Sequence, residues 1–404
     1  MNSVEENTLP NGWEEKSFNE VFDVRDGTHD SPKYVEKGFP LITSKNLKNG
    51  HLNFEKIKYI SEIDYESINK RSKVDVGDIL FAMIGTIGNP VLIKNQPNYA
   101  IKNVALFKKK SNDVLMTFFE YFLVNPIVID KMTNEAKGAT QKFVGLNYLR
   151  AFKITLPPLE EQKRIVAKID TLFAKIDKAI SLTEESLVQA KNLLPSVLKE
   201  VFDRLSIKNE NVELSNICTF KNGFAFKSKE FNKTGEGNQV IRIGNVLDVQ
   251  KNQVFIKENP IYNAYLLNEN DIIISMTGTR KKKDYLFVRI IKDESSYLNQ
   301  RVGRISVNST THHSYIYYYL KSDMFRSKVF EYETGAVNQG NISGSAIMKM
   351  LIPKVDFEKQ IEIGAICSNL SEKAKQTQSK LEEQLAYLKQ LKSSILSKAF
   401  KGEL

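Results

Sequence analysis

The sequence predicts an α+β protein with two tandem, β-rich α/β domains, two long helices that form an antiparallel coiled coil, and a pseudo-twofold internal repeat. Three observations predict this fold class. A segment near residue 80 recurs near residue 273, two stretches show the heptad spacing of coiled coils, and the other parts consist of short apolar runs broken by Gly, Asn and Pro. The 404 residues are enough for two or three domains, each with its own core.

The repeat is clearest in two places. Residues 77–86 match residues 270–279 at an offset of 193, with identical Asp, Ile, Met, Gly and Thr. Further along, the series from Gln162 to Phe202 matches the series from Gln360 to Phe400 at a constant offset of 198. Because the matches keep their order along the chain, we interpret the sequence as two copies of one module, roughly 10–205 and 206–404.

Each copy consists of a β-rich part followed by a helix. The first β-rich part covers 1–157 and contains runs such as Phe39–Ile42, and the second covers 207–355 and contains Val240–Ile243. The helical stretches cover 158–206 and 356–404, and Gly is almost absent from them. The chain therefore divides at residues 157, 206 and 355.

In both helical stretches, apolar residues alternate spacings of four and three residues for about five heptads. The predicted seam includes Ile165, Ile169, Leu172, Ile176 and Leu193 of the first helix, and Ile363, Leu370, Leu381, Leu388, Leu391 and Ile395 of the second. Polar residues interrupt this seam near the middle, at Thr183, Ser186, Thr377 and Gln384. The alternative is that two separate amphipathic helices lie each on its own domain.

Two local features qualify the first helix. Pro195 lacks an amide hydrogen and is expected to kink or restart the helix. Ser181 with Glu184 has the spacing of a capping box, which would instead divide the stretch into two shorter helices.

Charge is concentrated in the β-rich parts. The whole chain has a formal net charge of +10, of which residues 1–157 contribute +2 and residues 207–355 contribute +7. Two basic runs stand out, Lys108–Lys110 and Arg280–Lys283, and the second directly follows the repeated segment. A basic loop at a strand end suits contact with phosphate, although a solvated hairpin tip has the same composition. If the β-rich parts bind nucleic acid, the second should depend more on phosphate contacts.

Composition excludes several classes of protein. Two isolated cysteines, Cys218 and Cys367, exclude a disulfide framework and a cysteine-based zinc cluster. Four histidines leave little for a metal site, and the adjacent His312 and His313 are expected to be exposed loop residues, with side chains that would point apart in a strand. The N-terminal residues lack the apolar core of a signal peptide, and no apolar run approaches the ~20 residues that a membrane span needs. We therefore expect a cytoplasmic protein.

The residues at the junctions carry a family resemblance. Residues 156–165 (LPPLEEQKRI), before the first long helix, resemble the junction motif of the DNA specificity subunits of type I restriction–modification enzymes. The ending at 395–404 (ILSKAFKGEL) is similar to the end of their C-terminal helix, and residues 26–34, 221–228 and 241–246 are similar to segments of their target recognition domains. The resemblance covers essentially the whole chain, and the second junction (351–360) departs from the pattern with a single Pro and two extra residues.

The resemblance implies that each β-rich part is a target recognition domain that reads one half of an asymmetric, bipartite site in double-stranded DNA. The helices would be spacers that also dock two methyltransferase subunits, which use S-adenosylmethionine to methylate adenine. Restriction would require a further motor-nuclease subunit. Roughly 44 helical residues at about 1.5 Å each give a rod of about 65 Å, on the order of two turns of DNA, which predicts a fixed gap between the half-sites.

The chain itself lacks the motifs of the enzymes that it would serve. An adenine methyltransferase needs an Asn/Asp-Pro-Pro-Tyr/Phe loop, and the nearest string here is Leu156–Leu159. No phosphate-binding GxxxxGK[S/T] loop and no GxGxxG turn occur. We therefore expect a chain that binds no cofactor or metal, has no catalytic residues and positions its partners.

Candidate DNA-binding residues lie in polar loops that recur in both copies. Gln and Asn can read adenine, Arg can read guanine, and Lys mostly contacts phosphate. The candidates are Thr43, Ser44, Lys45, Asn46, Thr86, Thr140, Gln141 and Lys142 in the first copy, and Arg242, Asn245, Thr279, Arg280, Lys281, Lys282, Lys283, Asn338 and Gln339 in the second. Replacing Gln141 or Arg242 with Ala should weaken recognition of one half-site only.

Two other functions remain open at this stage. The chain could be a coiled-coil scaffold whose β-rich parts bind proteins, in which case its basic loops are merely solvated. It could also be the specificity part of a related system with a different arrangement of partners. Salt-dependent DNA binding would separate the first alternative, and subunit counting would separate the second.

Overall fold

A computed structural model describes residues 9–138, 142–292, 295–336 and 338–404. These residues divide into two compact units. Unit 1 comprises Met1–Thr183 together with Gln384–Leu404, and unit 2 comprises Glu184–Glu383. Each unit therefore contains one β-rich part and a segment of each long helix.

The described residues of unit 1 form twelve short strands and five short helices. The strands are β1 (Glu14–Ser17), β2 (Phe22–Asp26), β3 (Tyr34–Val35), β4 (Phe39–Ile42), β5 (Leu47–Lys48), β6 (His51–Leu52), β7 (Lys58–Ile60), β8 (Ile79–Ala82), β9 (Gly88–Leu92), β10 (Ala100–Ile101), β11 (Val104–Lys109) and β12 (Lys153–Leu156). The helices are α1 (Phe18–Val21), α2 (Glu62–Ser72), α3 (Met116–Val124), α4 (Pro126–Asn134) and α5 (Leu146–Ala151), and the long helix α6 (Leu159–Lys208) follows.

The central sheet of unit 1 has the antiparallel strand order β2-β11-β8-β9. Its strand β8 reads as a continuous apolar run because both of its faces are covered. Ile79 and Phe81 point into one apolar cluster, and Leu80 and Ala82 point into another. A second sheet has the order β10-β4-β7-β3, with β4 and β10 parallel, and β1 pairs with β12.

The described residues of unit 2 contain twelve short strands and four short helices. Its strands are β13 (Asn211–Glu213), β14 (Cys218–Asn222), β15 (Asn238–Ile241), β16 (Phe255–Ile256), β17 (Ile272–Ser275), β18 (Thr277–Gly278), β19 (Val288–Ile290), β20 (Ser296–Leu298), β21 (Val302–Val307), β22 (Thr334–Ala336), β23 (Gln339–Asn341) and β24 (Leu351–Pro353). Its helices are α7 (Ile243–Leu247), α8 (His313–Lys321), α9 (Asp323–Val329) and α10 (Gly344–Met348), followed by the long helix α11 (Phe357–Ala399).

The central sheets of the two units have matching strand orders, and unit 2 has a further sheet of order β18-β23-β22. The central sheet is β14-β21-β17-β19, the second sheet contains the parallel pair β15 and β20, and β13 pairs with β24. Strand β17 takes the place of β8, with Ile272 and Ile274 in one apolar cluster and Ile273 in another. The predicted fold class, with its internal repeat, is therefore confirmed.

Aromatic rings fill the core of unit 1. The rings of Phe22 and Phe119 stack with their centroids 3.9 Å apart, and Phe18 packs edge-on against Phe119 at 5.0 Å. The end of the chain belongs to this same core, since the ring of Phe400 lies 5.0 Å from that of Phe118. Ile395, Leu396 and Ala399 are buried there as well. Residues from α11 thus complete a core that the first β-rich part begins.

Tyrosines take the corresponding place in unit 2. Tyr315 and Tyr319 of α8 are buried against Phe202 of α6. Their hydroxyls donate hydrogen bonds of 2.7 Å to the carbonyl oxygens of Pro353 and Leu351, respectively. Burying a hydroxyl is costly unless it is hydrogen-bonded, and strand β24 supplies both acceptors.

The two long helices pack against each other within each unit. In unit 1, Arg164 donates to the carbonyl oxygen of Leu404 and Lys392 pairs with Asp177, so residue numbers fall on α11 as they rise on α6. This is an antiparallel pairing. In unit 2, the side-chain amide of Gln378 donates to the carbonyl oxygen of Ala190 at 3.2 Å.

The seam departs from the predicted spacing after Ala190. Leu193 is 43% exposed, whereas Leu194 packs against the core and Leu198 and Phe202 are buried. The contact line moves in steps of four residues here, because a helix with 3.6 residues per turn drifts from a strict heptad. The other predicted seam residues are buried or partly buried, namely Ile165, Ile169, Leu172, Ile176, Ile363, Leu370, Leu381, Leu388, Leu391 and Ile395.

Three of the four polar residues that were predicted to lie in the seam lie outside it. Ser186, Thr377 and Gln384 are exposed, and only Thr183 is buried, where its hydroxyl donates to the carbonyl oxygen of Ala179. Helix α6 continues without a break through Pro195, which is exposed, and past Ser181. The first long helix is therefore a single helix, without the restart or capping box that the sequence suggested.

Candidate nucleic-acid interface

A short polar turn follows strand β4 in unit 1. Thr43 precedes a single 3-10 turn, and the side-chain oxygen of Asn46 accepts hydrogen bonds from the backbone N–H of Thr43 at 2.9 Å and from its hydroxyl at 2.8 Å. The amide nitrogen of Asn46 donates to the carbonyl oxygen of Asn53, and the side chain is buried. Asn46 therefore shapes the turn, and Lys45 is its most exposed member.

The same turn recurs after strand β15 in unit 2. The side-chain oxygen of Asn245 accepts from the backbone N–H of Arg242 at 3.1 Å, and its amide nitrogen donates to the carbonyl oxygens of Val249 and Lys251. Asn245 is buried, like Asn46. Asn46 and Asn245 therefore have a structural role, and Arg242 is half-buried beside Asn245, with its guanidinium donating to the carbonyl oxygen of Asn252.

The turn of unit 1 borders a basic cavity of about 420 Å³. Four lysines line it, and each is exposed and has no ion pair with a described residue. They are Lys45, Lys48, Lys56 and Lys58. Glu55 is the acidic residue in its lining, and the ammonium group of Lys58 lies 4.1 Å from the centre of the Tyr34 ring. Converging ammonium groups of this kind attract phosphate.

The turn of unit 2 borders a cavity of about 500 Å³. Arg242, Lys251 and Arg301 contribute positive charge to it, and Asn299 and Gln300 contribute amides. Its lining thus combines side chains that grip phosphate with side chains that can read base edges. Of these residues, only Arg242 was a candidate from sequence. No local pattern indicated the others: Asn299, Gln300 and Arg301 follow β20, Lys251 follows α7, and the fold brings them to one cavity.

In unit 1, the loop after β8, which contains Thr86, lies beside the candidate Lys142. The backbone N–H of Gly85 donates to the carbonyl oxygen of Lys142 at 3.0 Å, and Thr86 is exposed next to it. Ile84 lines the basic cavity, so this loop and the Thr43–Asn46 turn border the same surface. The ammonium group of Lys142 donates to the carbonyl oxygen of Thr133. The candidates Thr140 and Gln141 lie outside the described residues.

In unit 2, the basic loop packs against a hairpin. Strands β22 and β23 form the hairpin, and β18, which precedes the loop, pairs with β23. Arg280 donates from Nε to Glu333 at 3.3 Å and from Nη1 to the carbonyl oxygen of Gly335 at 3.2 Å. Asn338 and Gln339 are exposed on the hairpin. The structure thus brings the candidate loop Thr279–Lys283 together with the candidates Asn338 and Gln339.

Glu333 is the anchor of this arrangement. Its side chain is 9% exposed and also accepts a short hydrogen bond from the hydroxyl of the fully buried Tyr285. Burial raises the pKa of that hydroxyl, which keeps it protonated as a donor. Because Arg280 is engaged with Glu333, it holds the loop in place.

The remaining residues of the basic loop differ from Arg280. Lys281 and Lys282 are exposed and have no ion pair with a described residue, so they are free to contact phosphate. The ammonium group of Lys283 lies 5.1 Å from the centre of the Phe330 ring. The backbone N–H of Thr279 donates to the carboxylate of Asp284 at 2.7 Å.

Lys108, in the first basic run of the sequence, has a mainly structural role. Its ammonium group contacts Asp78 at 2.5 Å and Asp75 at 2.8 Å. The hydrogen bond from Lys108 lowers the pKa of Asp75, whereas burial raises the pKa of Asp78. Lys108 thus offsets the cost of a buried carboxylate at the start of β8.

The prediction that His312 and His313 are exposed loop residues was wrong. His312 precedes α8 and His313 begins it, and both are half-buried rather than exposed in a loop. Their rings lie 4.4 Å apart and do not point in opposite directions, because a helix start replaces the assumed strand. Burial lowers the pKa of both imidazoles.

The described residues offer neither a cluster of metal ligands nor a helix that could span a membrane. No group of three or more His, Cys, Asp or Glu side chains converges as a metal site among them. None of the helices in this part of the chain is both long enough and apolar enough to span a bilayer.

Comparisons with known proteins agree with this description. The family described as "Type I restriction modification DNA specificity domain" matches residues 10–185 and 207–387. The type I restriction enzyme EcoKI specificity subunit of Escherichia coli K12 is 22% identical, over 98% of this chain and 90% of its own. The EcoBI specificity subunit of Escherichia coli is 26% identical, over 48% of this chain and 42% of its own.

A structural comparison gives the same fold. The chain matches one from a structure described as the basis of "complex assembly and conformational transition of the type I R-M system". The TM-score is 0.78 at 19% identity, and the match covers 98% of this chain and 100% of the other.

Proposed function

The chain belongs to the family of type I restriction modification DNA specificity domains, and we propose that it is the non-catalytic DNA-recognition subunit of a type I restriction–modification system. Each unit would read one half of an asymmetric, bipartite site in double-stranded DNA. Two methyltransferase subunits would dock on the long helices and bind S-adenosylmethionine, and a motor-nuclease subunit would join for restriction.

The observation that carries this proposal is the recurrence of one basic surface. In both units, the turn shaped by Asn46 or Asn245 borders a cavity with at least three cationic side chains. Cationic side chains that neutralise DNA phosphates release counterions, which supplies most of the sequence-independent affinity. A repeated surface of this kind suits two similar contacts with one long polyanion.

The differences between the two surfaces support unequal half-sites. The charge in the cavity of unit 1 comes from lysines, whereas unit 2 presents Arg242 and Arg301 with Asn299 and Gln300. Arginine reads guanine through two hydrogen bonds, and amides read adenine, while lysine mostly contacts phosphate. The two units are therefore expected to prefer different bases.

Exposed apolar residues on the long helices support the docking of a protein partner. Phe357, Ile361 and Ile366 of α11 are each more than 40% exposed. Phe357 and Ile361 are four residues apart and so lie on one face of the helix. Contiguous apolar surface on a helix favours burial against another protein.

The test is to express the full chain with its methyltransferase partner and to map methylated adenines in the host genome. The proposal expects one bipartite motif whose two halves differ, and DNA binding by the complex that weakens steeply with salt. The mapped motif would also measure the gap between half-sites. Salt-independent binding without any methylated motif would contradict the proposal and favour a protein-binding scaffold.

A further inference from the structure

A chain of hydrogen bonds in unit 1 ends at Asn103. The imidazole of His29 contacts Asp26 through Nε2 at 2.8 Å and the side-chain oxygen of Asn103 through Nδ1 at 2.8 Å. Asp26 is buried, and its other carboxylate oxygen accepts a short hydrogen bond from Arg71. The order of the chain is therefore Arg71, Asp26, His29 and Asn103.

The backbone around this chain is held closely. Gly27 packs so tightly that a Cβ atom there would lie 2.3 Å from the carbonyl oxygen of Ile101. Asn103 has a left-handed backbone with φ of 52°, a conformation that Asn and Asp adopt more readily than most residues. Its backbone N–H donates to the carbonyl oxygen of Thr28 at 3.2 Å. These contacts fix the position of the Asn103 side chain.

Asn103 also lines the basic cavity of unit 1. The hydroxyl of Ser44 donates to its carbonyl oxygen at 3.1 Å, and Thr43 and Lys45 line the same cavity. His29 occupies the side-chain oxygen of Asn103, whereas its amide nitrogen makes no hydrogen bond with a described residue. The free end of this amide is thus a hydrogen-bond donor.

We propose that Asn103 is a specificity-determining residue that contacts a base edge as a donor, and that His29 is the positioning residue that orients its amide. This inference rests on the proposed DNA-recognition function and deepens it. An unconstrained asparagine reads adenine with its oxygen and its nitrogen together. With His29 on its oxygen, Asn103 presents its amide nitrogen as a donor, so it favours a base that presents acceptors in the major groove. Guanine and thymine present hydrogen-bond acceptors alone there and adenine presents N7 beside a donor, whereas cytosine presents a donor alone.

His29 lies between two acceptor oxygens, that of Asp26 at Nε2 and that of Asn103 at Nδ1. A ring that donates from both nitrogens satisfies both contacts and leaves the Asn103 amide nitrogen toward the cavity. The charged groups around His29 are Asp26 and Arg71, with Asp30 and Asp64 in the lining of the adjacent cavity and Lys102 bound to Ser31.

The experiment selects DNA from a library with randomised half-sites, using the full chain in complex with its methyltransferase partner. The wild-type complex should enrich guanine or thymine over cytosine at one position of the first half-site. Asn103→Asp keeps a residue that tolerates the left-handed backbone but presents an acceptor, and should reverse the preference toward cytosine by about tenfold. Asn89→Asp is the matched control, because Asn89 also has a left-handed backbone, with φ of 47°, and does not line the cavity.

A second variant tests the role of His29, whose side chain is 61% exposed and so contributes little to the core. His29→Ala should relax the preference at that one position and leave the second half-site unchanged.

Three outcomes would overturn the inference. The first is a base preference that changes no more in Asn103→Asp than in Asn89→Asp, and the second is an equal loss of affinity on all sequences, which marks a phosphate contact. The third is a base preference in His29→Ala that matches that of the wild type. A wild-type complex that enriches no sequence at all would instead contradict the proposed function.

Discussion

Gln162 and Gln360 make the same hydrogen bonds at the first turns of the two long helices. Gln162 accepts from the backbone N–H of Leu115 at 2.8 Å and donates to the carbonyl oxygens of Asp113 and Pro157. Gln360 likewise accepts from His312 at 2.8 Å and donates to Thr310 and Val355. In unit 1, the buried amide thus joins the start of α6 to the loop before α3, and in unit 2 it joins the start of α11 to the loop before α8. This shared role explains why both copies have Gln at this position.

Replacing Gln162 with Leu should destabilise the chain by about 2 kcal/mol, because the N–H of Leu115 and two carbonyl groups would lose their partner in a buried place. Gln162 has no exposed surface. The free energy of unfolding, measured in denaturant, tests this. Gln189→Leu, at an exposed position of α6, is the control, and an equal loss in both variants would contradict the argument.

Replacing Tyr285 with Phe should cost about 2 kcal/mol, because it removes a buried hydrogen bond to the Glu333 carboxylate. It should also weaken recognition of the second half-site, since Glu333 anchors Arg280. Tyr262→Phe provides the comparison, because Tyr262 donates to the exposed Glu230 and its loss should change stability little. Thermal unfolding measures the change in stability, and selection from a DNA library measures the base preference at the second half-site. An unchanged preference in Tyr285→Phe would contradict a role of Glu333 in DNA recognition.

Replacing both Lys281 and Lys282 with Ala should reduce the salt dependence of DNA binding. If each lysine contacts one phosphate, the slope of log affinity against log salt becomes less steep by about 2 for the pair. The affinity should fall equally on all sequences. Lys373→Ala with Lys375→Ala removes the same charge from exposed positions of α11 and should leave the slope unchanged. A slope that does not differ between the two double variants would contradict phosphate contact.

Glu120 should make stability fall as pH rises. Burial raises the pKa of its carboxyl, whose Oε1 accepts from the backbone N–H of Leu92. The folded chain therefore binds this proton more tightly than the unfolded chain, and ionisation opposes folding. Glu120→Gln keeps the acceptor without the charge, so its stability relative to the wild type should increase from about pH 4 to about pH 7.

Unfolding curves at several pH values measure this difference. Glu185→Gln, at an exposed position of α6, corrects for the general change in charge. A stability difference between Glu120→Gln and the wild type that stays constant or shrinks with pH would contradict the effect of burial.

The fold was largely predictable because its signals are local. Apolar spacing indicated the helices, and the recurrence of Ile79 and Ile272 in matching strands indicated the duplicated sheet. The identical Asp78 and Asp271 in the repeat turn out to be buried, and each accepts a backbone N–H three residues earlier in the chain. The error at Leu193 arose where two adjacent leucines fit either spacing.

The candidate site was less predictable because its chemistry depends on distant partners. Asp75 and Asp78 engage Lys108 from about 30 residues away in sequence, and no local pattern indicates that pairing. Asn46 and Asn245 were expected to contact DNA but are buried. Lys56 and Lys58, which border the cavity of unit 1, gave only the weak signal of alternating charge before a short strand.

The position of Phe400 in the core of unit 1 has a consequence for folding during synthesis. Unit 2 lies between the two parts of unit 1 in the sequence. A ribosome therefore delivers all of Glu184–Glu383 before the residues that pack against Phe118. Although domains generally fold in order from the N-terminus, the second unit of this chain can complete its core first. The core of the nascent first unit stays incomplete until Phe400 has been synthesised.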